Sequence, residues 1–262
     1  MKFNSILVVY ADPINYEQKS SLNSVKNTLK KFKLRCSFVN RLNLSKKNFN
    51  ERDLIIAIGG DGTFLKSSHF IKDKALIIGV NSDIKSKEGF YMKCSRFDFE
   101  KKMRRIMNNK FRILQLLRLQ AKINSKEVGE LALNEFYFGA EKSYLTSRYE
   151  IKIGHKSEHH RSSGVIVSTL SGARAWARAC GFKDVSSDSE TFIYIVREPF
   201  EYRLFRNYKF RSGILKKDNV IFKSEMLNSI LIADSLSREY KLNYGDTVRI
   251  GVSDKRLSVI SF

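Results

Sequence analysis

The residues best suited to chemistry lie in one glycine-rich loop, GGDGT, which runs from Gly59 to Thr63. The apolar, β-branched run 54–58 precedes the loop and a helical pattern over 64–71 follows it, which predicts a strand, a loop and a helix. This arrangement presents backbone N–H groups to a phosphate, and glycine has no Cβ to keep the phosphate away. Asp61 would repel that phosphate unless it binds Mg²⁺ or accepts a proton from a hydroxyl group. Both roles belong to phosphoryl transfer; the alternative is a tight turn with Asp61 as a local cap.

The composition is typical of a globular chain with one large domain or two modest ones. The chain has 262 residues, of which 42% are hydrophobic and 12% are aromatic, enough to fill a core. Its longest apolar runs are too short to cross a bilayer, and its N-terminus lacks the layout of a signal peptide. We therefore expect a cytoplasmic protein that does not bind a membrane.

The chain carries a formal net charge of +21, which favours anionic partners. One interpretation is nucleic-acid binding, and the other is a basic surface that attracts substrates such as ATP and dinucleotides. The Lys and Arg residues are spread along the chain without a block of five or more. This distribution favours the second interpretation, so we expect no nucleic-acid partner.

The cysteine and histidine residues do not form a recognisable metal site in the sequence. Cys36, Cys94 and Cys180 are far apart and odd in number, so we interpret them as free thiols. The four histidines lack the spacing of a zinc site. The neighbouring pair His159 and His160 is predicted to be exposed on a loop.

The order of the predicted elements indicates an α/β domain over residues 1–110 and a β-rich domain over residues 111–262. Alternating strands and helices predict a Rossmann-like parallel sheet, with ligands at the C-terminal ends of the strands. Short, closely spaced strands in the second half predict a β-sandwich-like domain, although the last strands are also compatible with a return to the first domain. In the first half, the predicted strands are 3–10, 34–40, 54–58 and 75–80, and the predicted helices are 16–32, 64–71 and 97–107. In the second half, the strands that bear on the site are 112–123, 128–138, 145–153 and 165–168, and a helix is predicted over 173–180.

Three further segments carry polar or aromatic residues that need an explanation. Asn134 and Glu135 lie in an apolar, strand-like run, so one of them needs a buried partner or a ligand unless the pair occupies a polar edge. The small residues 171–173 would begin a helix whose end accepts an anion or is simply capped. Trp176, the only Trp, would either stack on a base or belong to the core. The run 197–199, Arg-Glu-Pro, is interpreted as structural.

Taken in order, these segments resemble the NAD kinase family over nearly the whole chain. The family's glycine loop matches residues 59–65, and its Asn-Asp/Glu pair matches residues 134–135. Its Gly-Asp-Gly turn aligns with residues 162–164, and its Ser-Thr-Pro-Thr-Gly-Ser-Thr-Ala-Tyr segment aligns with residues 168–176. Diacylglycerol kinases, sphingosine kinases and phosphofructokinases share the glycine loop alone, so the ordered set carries the resemblance.

The chain also departs from the common pattern of that family. Ser163 stands where the family has Asp in the second turn, and Trp176 stands where it has Tyr. The segments Ser-Ser-Gly, Ala-Trp and Arg-Glu-Pro resemble the mitochondrial-type branch of NAD kinases. The loss of the second-turn Asp removes the family's usual contact with the ribose.

The resemblance implies transfer of the γ-phosphoryl group of ATP to the 2′-hydroxyl of the adenosine ribose of NAD(H). Asp61 would accept or orient the hydroxyl proton, and Mg²⁺ would bridge the phosphates of ATP. We expect a homodimer or homotetramer, and we assign no protein ligand to a metal. The residues placed at the nucleotide and dinucleotide sites are Gly59, Gly60, Asp61, Gly62, Thr63, Phe64, Asn81, Asn134, Glu135, Arg161, Ser163, Ser171, Arg174, Ala175 and Trp176.

Two other functions remain as alternatives from the sequence. A lipid kinase of the diacylglycerol or sphingosine type would carry Asn-Glu within a few residues of the glycine loop, whereas Asn134 and Glu135 come far later. A non-catalytic protein that binds dinucleotides or nucleic acid is favoured by the charge and by Ser163. Asp61 speaks against it, because a protein that only binds has no need of that acid.

Overall fold

The computed structural model describes residues 3–72, 74–183, 190–201, 207–216, 218–236 and 238–262. The chain divides into two compact units. Unit 1 comprises Met1–Leu116 and Lys255–Phe262, and unit 2 comprises Leu117–Asp254. The division lies a few residues beyond the expected position near residue 110, and the last strand belongs to unit 1. No helix of the described parts is long and apolar enough to cross a membrane.

Unit 1 is built on a seven-stranded sheet. Its neighbouring strands are parallel, except that residues 257–261 pair in the antiparallel sense with residues 112–116. Every residue of the strands LIIAIG and LIIGVN is buried, as expected for central strands of a parallel sheet. The strand order is β2-β1-β3-β4-β19-β6, with β5 paired to β4. The strands are β1 Ile6–Tyr10, β2 Cys36–Asn40, β3 Leu54–Gly59, β4 Leu76–Asn81, β5 Met92–Ser95, β6 Arg112–Leu116 and β19 Leu257–Ser261.

The described residues of unit 1 form four α-helices and one 3₁₀ turn. The first helix begins where the side chain of Asn15 accepts the N–H of Gln18 at 2.9 Å, which is an N-cap. It buries Leu22, Val25 and Leu29 in the same apolar cluster as the central strands. The helices are α1 Tyr16–Lys31, α2 Lys46–Phe49, α3 Asp61–Ser68 and α4 Phe99–Met107, and the 3₁₀ turn is Arg41–Asn43.

The helix after the glycine loop begins earlier than the predicted range 64–71. Gly60 has extended backbone angles and is the N-cap, so Asp61 is the first helical residue. The carbonyl oxygen of Gly60 accepts the N–H groups of Thr63 at 2.9 Å and Phe64 at 3.3 Å. Asp61, Gly62 and Thr63 therefore form the first helical turn, and the prediction that they belong to a loop is wrong.

The described parts of unit 2 contain two six-stranded sheets that share one apolar core. Phe138 of one sheet stacks on Phe222 of the other, with ring centroids 5.0 Å apart, and the cluster around them draws residues from both sheets. An α/β unit followed by an all-β unit is the predicted fold class, which is confirmed. The first sheet has the order β11-β10-β15-β18-β7-β8 and the second β14-β13-β12-β9-β16-β17. The strands are β7 Leu119–Ile123, β8 Lys126–Glu127, β9 Glu135–Ala140, β10 Ser147–Ile153, β11 Lys156–Ser162, β12 Val165–Thr169, β13 Thr191–Val196, β14 Ser212–Lys216, β15 Val220–Ser224, β16 Ser229–Ala233, β17 Glu239–Leu242 and β18 Thr247–Val252.

Three predicted elements differ from the structure around unit 2. The predicted strand 112–123 is two strands, β6 and β7, which belong to different sheets. The strand predicted over 128–138 begins only at Glu135, so Asn134 precedes it. The helix predicted over 173–180 is a 3₁₀ turn, Gly172–Arg174, followed by the four-residue helix α5, Trp176–Ala179. The backbone of Ala175, with ψ at −114°, separates these two pieces.

Candidate functional site

The glycine loop of unit 1 joins the buried strand β3 to the first turn of α3. A Cβ on Gly59 would lie 2.3 Å from the Oγ1 of Thr63, so this glycine lets the strand and the helix pack closely. Gly62 is exposed, and a Cβ there would meet only Arg41, at 3.9 Å. The N–H groups of Asp61 and Gly62 lie in the first helical turn, where no intrahelical acceptor is available. This turn therefore offers two backbone donors to an anion.

Two residues that were placed at the nucleotide site, Thr63 and Phe64, have backbone N–H groups that are already used inside α3. The N–H groups of Thr63 and Phe64 are already bonded to the carbonyl of Gly60, because the helix begins at Asp61. Phe64 is fully buried and stacks on Tyr91, with centroids 5.1 Å apart. Thr63 is also buried, and its Oγ1 accepts a hydrogen bond from Arg41 at 3.4 Å. We therefore interpret Thr63 and Phe64 as residues that hold the loop rather than as donors to a phosphate.

The carboxylate of Asp61 is held in a fixed orientation by the backbone of a neighbouring loop. Its Oδ2 accepts the N–H of Phe90 and its Oδ1 accepts the N–H of Tyr91, each at 2.9 Å. Asp61 is half-buried and is not the N-cap of its helix, so the local-cap alternative does not describe it. An ionised carboxylate has about four acceptor positions. Two donors therefore leave it able to accept a further proton or hydrogen bond.

Asn81, at the end of the adjacent strand β4, also has a side chain that is bonded to the backbone of a neighbouring loop. Its Nδ2 donates to the carbonyl of Lys87 at 3.0 Å, and its Oδ1 accepts the N–H of Asp83 at 2.9 Å. The N–H of Ser82 donates to the carbonyl of Gly59 at 2.9 Å. Asn81 thus shapes the loop 81–87 beside the glycine loop, and both ends of its amide are used there.

The segment 133–135 of unit 2 is fixed by one buried carboxylate that the sequence analysis missed. Asp234 accepts the N–H groups of Leu133 at 2.9 Å, Asn134 at 2.7 Å and Glu135 at 3.0 Å. Burial lowers the pKa of the Arg118 guanidinium to about 10, and the charge of Asp234 opposes that shift. Asp234 lies about a hundred residues further along the chain, so no local pattern could have associated it with the pair.

Glu135 is buried, and one of its oxygens is left without a partner. Only 3% of the residue is exposed, and its Oε2 has no hydrogen-bond partner within the described parts of the chain. Burial, and then the charge of Asp234, raises the pKa of the Glu135 carboxyl to about 8. An unsatisfied buried oxygen is costly. Glu135 therefore has the properties of a group that awaits a ligand.

The turn 171–174 packs directly against the Asn134 backbone. Thr169 joins the two, because its N–H donates to the carbonyl of Asn134 at 2.8 Å and its Oγ1 donates to that of Leu133 at 2.7 Å. The Oγ1 of Thr169 also accepts the N–H of Gly172 at 2.9 Å and lies 3.0 Å from the Oγ of Ser171. Ser171 is thereby linked to the Asn134 backbone through Thr169. The anion-accepting helix end predicted here is absent, since no long helix begins at this turn.

Trp176 forms a compact cluster with Tyr137 and Arg197, in which the guanidinium lies near both rings. The indole and the Tyr137 ring are 5.3 Å apart, and the Arg197 guanidinium lies 5.0 Å from the Trp176 ring and 5.9 Å from that of Tyr137. Trp176 is half-buried, whereas Arg174 and Ala175 are exposed on the same segment. The indole is therefore partly core and partly accessible, and both predicted roles agree with its position.

The turn that carries Ser163 is bonded to the same cluster. The hydroxyl of Tyr137 donates to the carbonyl of Ser163 at 3.1 Å, and the N–H of Ser163 donates to the carbonyl of Arg197 at 3.0 Å. The N–H of Arg161 donates to the hydroxyl of Tyr208 at 3.3 Å. The Arg-Glu-Pro run is thus structural, as predicted, and it also places Arg197 beside Trp176.

The prediction that His159 and His160 form an exposed loop pair is wrong. Both lie on strand β11, and His160 is 1% exposed. Its ring stacks between those of Tyr149 and Tyr208, and its Nε2 lies 2.8 Å from a carboxylate oxygen of Glu158. The alternation of a strand sends one histidine inward and the other to solvent.

Comparison with known proteins identifies the family. The family model described as the ATP-NAD kinase N-terminal domain matches residues 4–111. NAD kinase 1 of Oceanobacillus iheyensis is 30% identical over 200 residues, which cover 72% of this chain and 73% of that protein.

The chain belongs to the NAD kinase family.

Other members of the NAD kinase family match a greater length of this chain. The probable NADH kinase of Oryza sativa is 25% identical over 98% of this chain and 85% of its own length. An NAD kinase from Archaeoglobus fulgidus, solved with ATP, has a TM-score of 0.77 at 20% identity and covers 97% of this chain and 92% of that one. Yeast NADH kinase, solved with NADH, has a TM-score of 0.81 at 14% identity, and the match covers 98% of this chain and 83% of that one. The two structures support the fold, and the resemblance inferred from the sequence is confirmed.

The described residues of this NAD kinase family member offer no cage for a metal ion. They contain no group of three or more His, Cys, Asp or Glu side chains that could hold one. Mg²⁺ commonly binds through one or two carboxylates, water and the phosphates of a substrate. Asp61, at the first turn of α3, is a carboxylate that fits this pattern. The chain is thus compatible with Mg²⁺ that arrives with a nucleotide.

Proposed function

We propose that this protein transfers the γ-phosphoryl group of ATP to the 2′-hydroxyl of the adenosine ribose of NAD or NADH. Membership of the NAD kinase family supports the reaction. The observation that carries it in this chain is the Asp61 carboxylate. Two backbone N–H groups hold it at the first turn of α3, beside the two backbone donors of Asp61 and Gly62.

In this proposal, unit 1 handles the phosphoryl group. The N–H groups of Asp61 and Gly62 bind phosphate oxygens, and the positive end of α3 favours their charge. Asp61 accepts the proton of the ribose hydroxyl as that oxygen bonds to the γ-phosphorus. The bond between the γ-phosphorus and the bridging oxygen of ATP breaks in the same step, and ADP leaves. A positioned base of this kind contributes about 10² to 10⁴ to the rate. Mg²⁺, when bound with ATP, neutralises charge on the transferred phosphate.

Unit 2 supplies the residues that hold the dinucleotide. The amide of Asn134 and the unsatisfied oxygen of Glu135 form hydrogen bonds with ribose hydroxyls or base edges. Trp176 offers an aromatic face for a base. Ser171, Arg174 and Ala175, which precede it in the same segment, line the dinucleotide site. Arg161 lies near the end of β11, and Ser163 lies on the turn that follows, where it cannot replace the charge of the family's Asp. The assignment of these residues to the dinucleotide, and of 111–262 as its binding domain, is part of the proposal.

The alternative functions have less support. The relatives described above are NAD or NADH kinases, which does not favour a lipid substrate. A non-catalytic dinucleotide-binding protein remains the alternative that an assay can separate. A cytoplasmic location, a homodimer or homotetramer and membership of the mitochondrial-type branch stay predictions.

The test is a direct assay of purified protein with Mg-ATP and either NAD⁺ or NADH, with the products separated and weighed by mass spectrometry. We expect a product heavier than the substrate by one phosphoryl group, and we expect chelation of Mg²⁺ to abolish it. Binding of the dinucleotide without any such product would contradict the kinase activity and favour the non-catalytic alternative.

A further inference from the structure

Two basic side chains, Arg41 and Lys87, lie beside the first turn of α3. The Nη1 of Arg41 lies 3.4 Å from the Oγ1 of Thr63 and is the nearest atom to the position of a Cβ on Gly62, at 3.9 Å. The side chain of Lys87 passes the other glycine, with its Cδ 3.1 Å from the position of a Cβ on Gly60. The glycine turn therefore has a guanidinium next to Gly62 and a lysine side chain next to Gly60.

The charges at this turn are not arranged as ordinary surface ion pairs. Burial and the positive charge of Arg41 lower the pKa of the Lys87 ammonium, and Asp83 opposes them. The Asp83 carboxylate is already bonded to the hydroxyl of Ser86 at 2.7 Å and to the amide of Asn15 at 3.0 Å. Two cations beside the positive end of a helix repel each other, and an anion with several oxygens would relieve that repulsion.

The Lys87 ammonium is also held in place. Its Nζ donates to the hydroxyl of Ser82 at 2.9 Å, and the loop that carries it is fixed through Asn81 and through the bond from Ser82 to Gly59. A lysine that served only to cover the glycine turn would not need a fixed ammonium group. Lys85, two residues earlier, shows the contrast, because its side chain is 79% exposed and pairs with Glu17 at 3.2 Å.

We propose that Lys87 and Arg41 bind the terminal phosphates of the nucleotide donor, on either flank of the two backbone donors in the glycine turn. The inference rests on the proposed function for its donor, and it adds two residues that the glycine loop motif does not contain. Lys87 supplies a compact charge and Arg41 supplies a planar fork that suits two phosphate oxygens. Ser82 is a positioning residue, since it acts on the donor only through Lys87.

The experiment compares Lys87→Met and Arg41→Met with the control Lys85→Met, which removes an equal charge two residues from Lys87. Binding of inorganic tripolyphosphate is measured by calorimetry, and KM values for ATP and NAD are measured separately. We expect Lys87→Met and Arg41→Met each to weaken tripolyphosphate binding and to raise the KM for ATP roughly tenfold or more, as for a lost hydrogen bond to a charged group. In the control Lys85→Met, the tripolyphosphate affinity and the KM for ATP should change less than twofold. The KM for NAD should change less than twofold in every variant.

Further variants separate charge from packing. Lys87→Arg keeps the charge and should recover most of the affinity, whereas Ser82→Ala should weaken binding less than Lys87→Met does. Thermal unfolding checks each variant, and Arg41→Met tests the proposal by itself if Lys87→Met does not fold. Tripolyphosphate affinities of Lys87→Met and Arg41→Met equal to that of Lys85→Met would overturn the proposal.

The two proposals fail in distinguishable ways. Wild-type protein that phosphorylates NAD, with variants that bind tripolyphosphate normally, would leave the kinase function intact and remove Arg41 and Lys87 from the donor site. Wild-type protein that binds tripolyphosphate through these residues but forms no phosphorylated dinucleotide would keep the anion site and remove the kinase function.

Discussion

Gly172 packs on the backbone of Asn134 so closely that a Cβ on Gly172 would lie 2.4 Å from both the Cα and the carbonyl oxygen of Asn134. The contact is with backbone atoms, which cannot move aside as a flexible side chain can. The glycine therefore sets the distance between the 3₁₀ turn and the segment that carries Asn134 and Glu135.

We expect Gly172→Ala to push these two segments apart. Overpacking of this kind costs about 1–3 kcal/mol of stability, and the displacement of Asn134 should weaken NAD binding more than ATP binding. Gly129→Ala is a matched control, because a Cβ there would meet its nearest neighbour, the hydroxyl of Tyr240, at an ordinary 3.5 Å. Chemical denaturation and calorimetry measure the two effects. Equal stability and equal NAD affinity of the two variants would show that the close contact has no such role.

The raised pKa of Glu135 predicts how stability depends on pH. The folded protein holds a proton on this carboxyl up to about pH 8, whereas the ordinary value is 4.5. Between these values the folded state binds more protons than the unfolded state, so the free energy of unfolding should fall as pH rises from 4.5 to about 8. The total effect is on the order of a few kcal/mol at most.

The variant Glu135→Gln resembles the protonated form at every pH. It should therefore lack the part of the pH dependence that Glu135 causes, and its advantage over the wild type should grow towards pH 8. Urea unfolding at pH 5, 6, 7 and 8 measures this difference, with the exposed Glu127→Gln as the control. A constant difference in stability between Glu135→Gln and the wild type across this range would contradict a buried, protonated Glu135.

Trp176 gives a direct signal for the dinucleotide, because it is the only Trp in the chain. If a base stacks on its accessible face, addition of NAD⁺ should change its fluorescence, and Trp176→Ala should weaken NAD binding roughly tenfold. Trp176→Phe retains an aromatic face, so its NAD affinity should fall less than that of Trp176→Ala. Wild-type NAD affinity in a folded Trp176→Ala variant would assign the indole to the core alone.

The sequence predicted the parts of the site that depend on local pattern. The alternation of buried strands and helices up to residue 110 indicated a parallel sheet, and the order of strand, glycine segment and helix around residues 54–68 was predicted correctly. Asn134, Glu135 and Ser171 were each placed at the dinucleotide site through the family resemblance, and that assignment stays a prediction. These residues could be found because each belongs to a motif with fixed spacing.

The rest depended on contacts between residues far apart in the chain. Asp234 orders the segment 133–135 from about a hundred residues away, and Arg41 contacts Thr63 from the 3₁₀ turn after β2. Nothing in a chain with 48 Lys and Arg residues distinguishes Arg41 or Lys87 from the others. The start of α3 was misplaced because a glycine N-cap carries no side-chain signal, and the helix at 173–180 was overestimated because the break at Ala175 is one of backbone conformation.

The central claim is that Asp61 accepts the ribose proton, and Asp61→Asn tests it. Asn cannot act as a base, so we expect kcat for phosphorylation of NAD to fall by about 10² to 10⁴ while NAD affinity stays within several-fold. Asp53→Asn is the matched control, because Asp53 also accepts two backbone N–H groups, those of Asn4 and Ser5, but precedes β3 instead of following it.

Single-turnover assays on the two folded variants, with dinucleotide binding measured in parallel, are the most direct measurement. We expect near wild-type turnover for Asp53→Asn and a loss of at least a hundredfold for Asp61→Asn, with NAD still bound. Wild-type turnover in Asp61→Asn would contradict the role of Asp61 as a base, because the carboxylate would then only hold the loop at Phe90 and Tyr91.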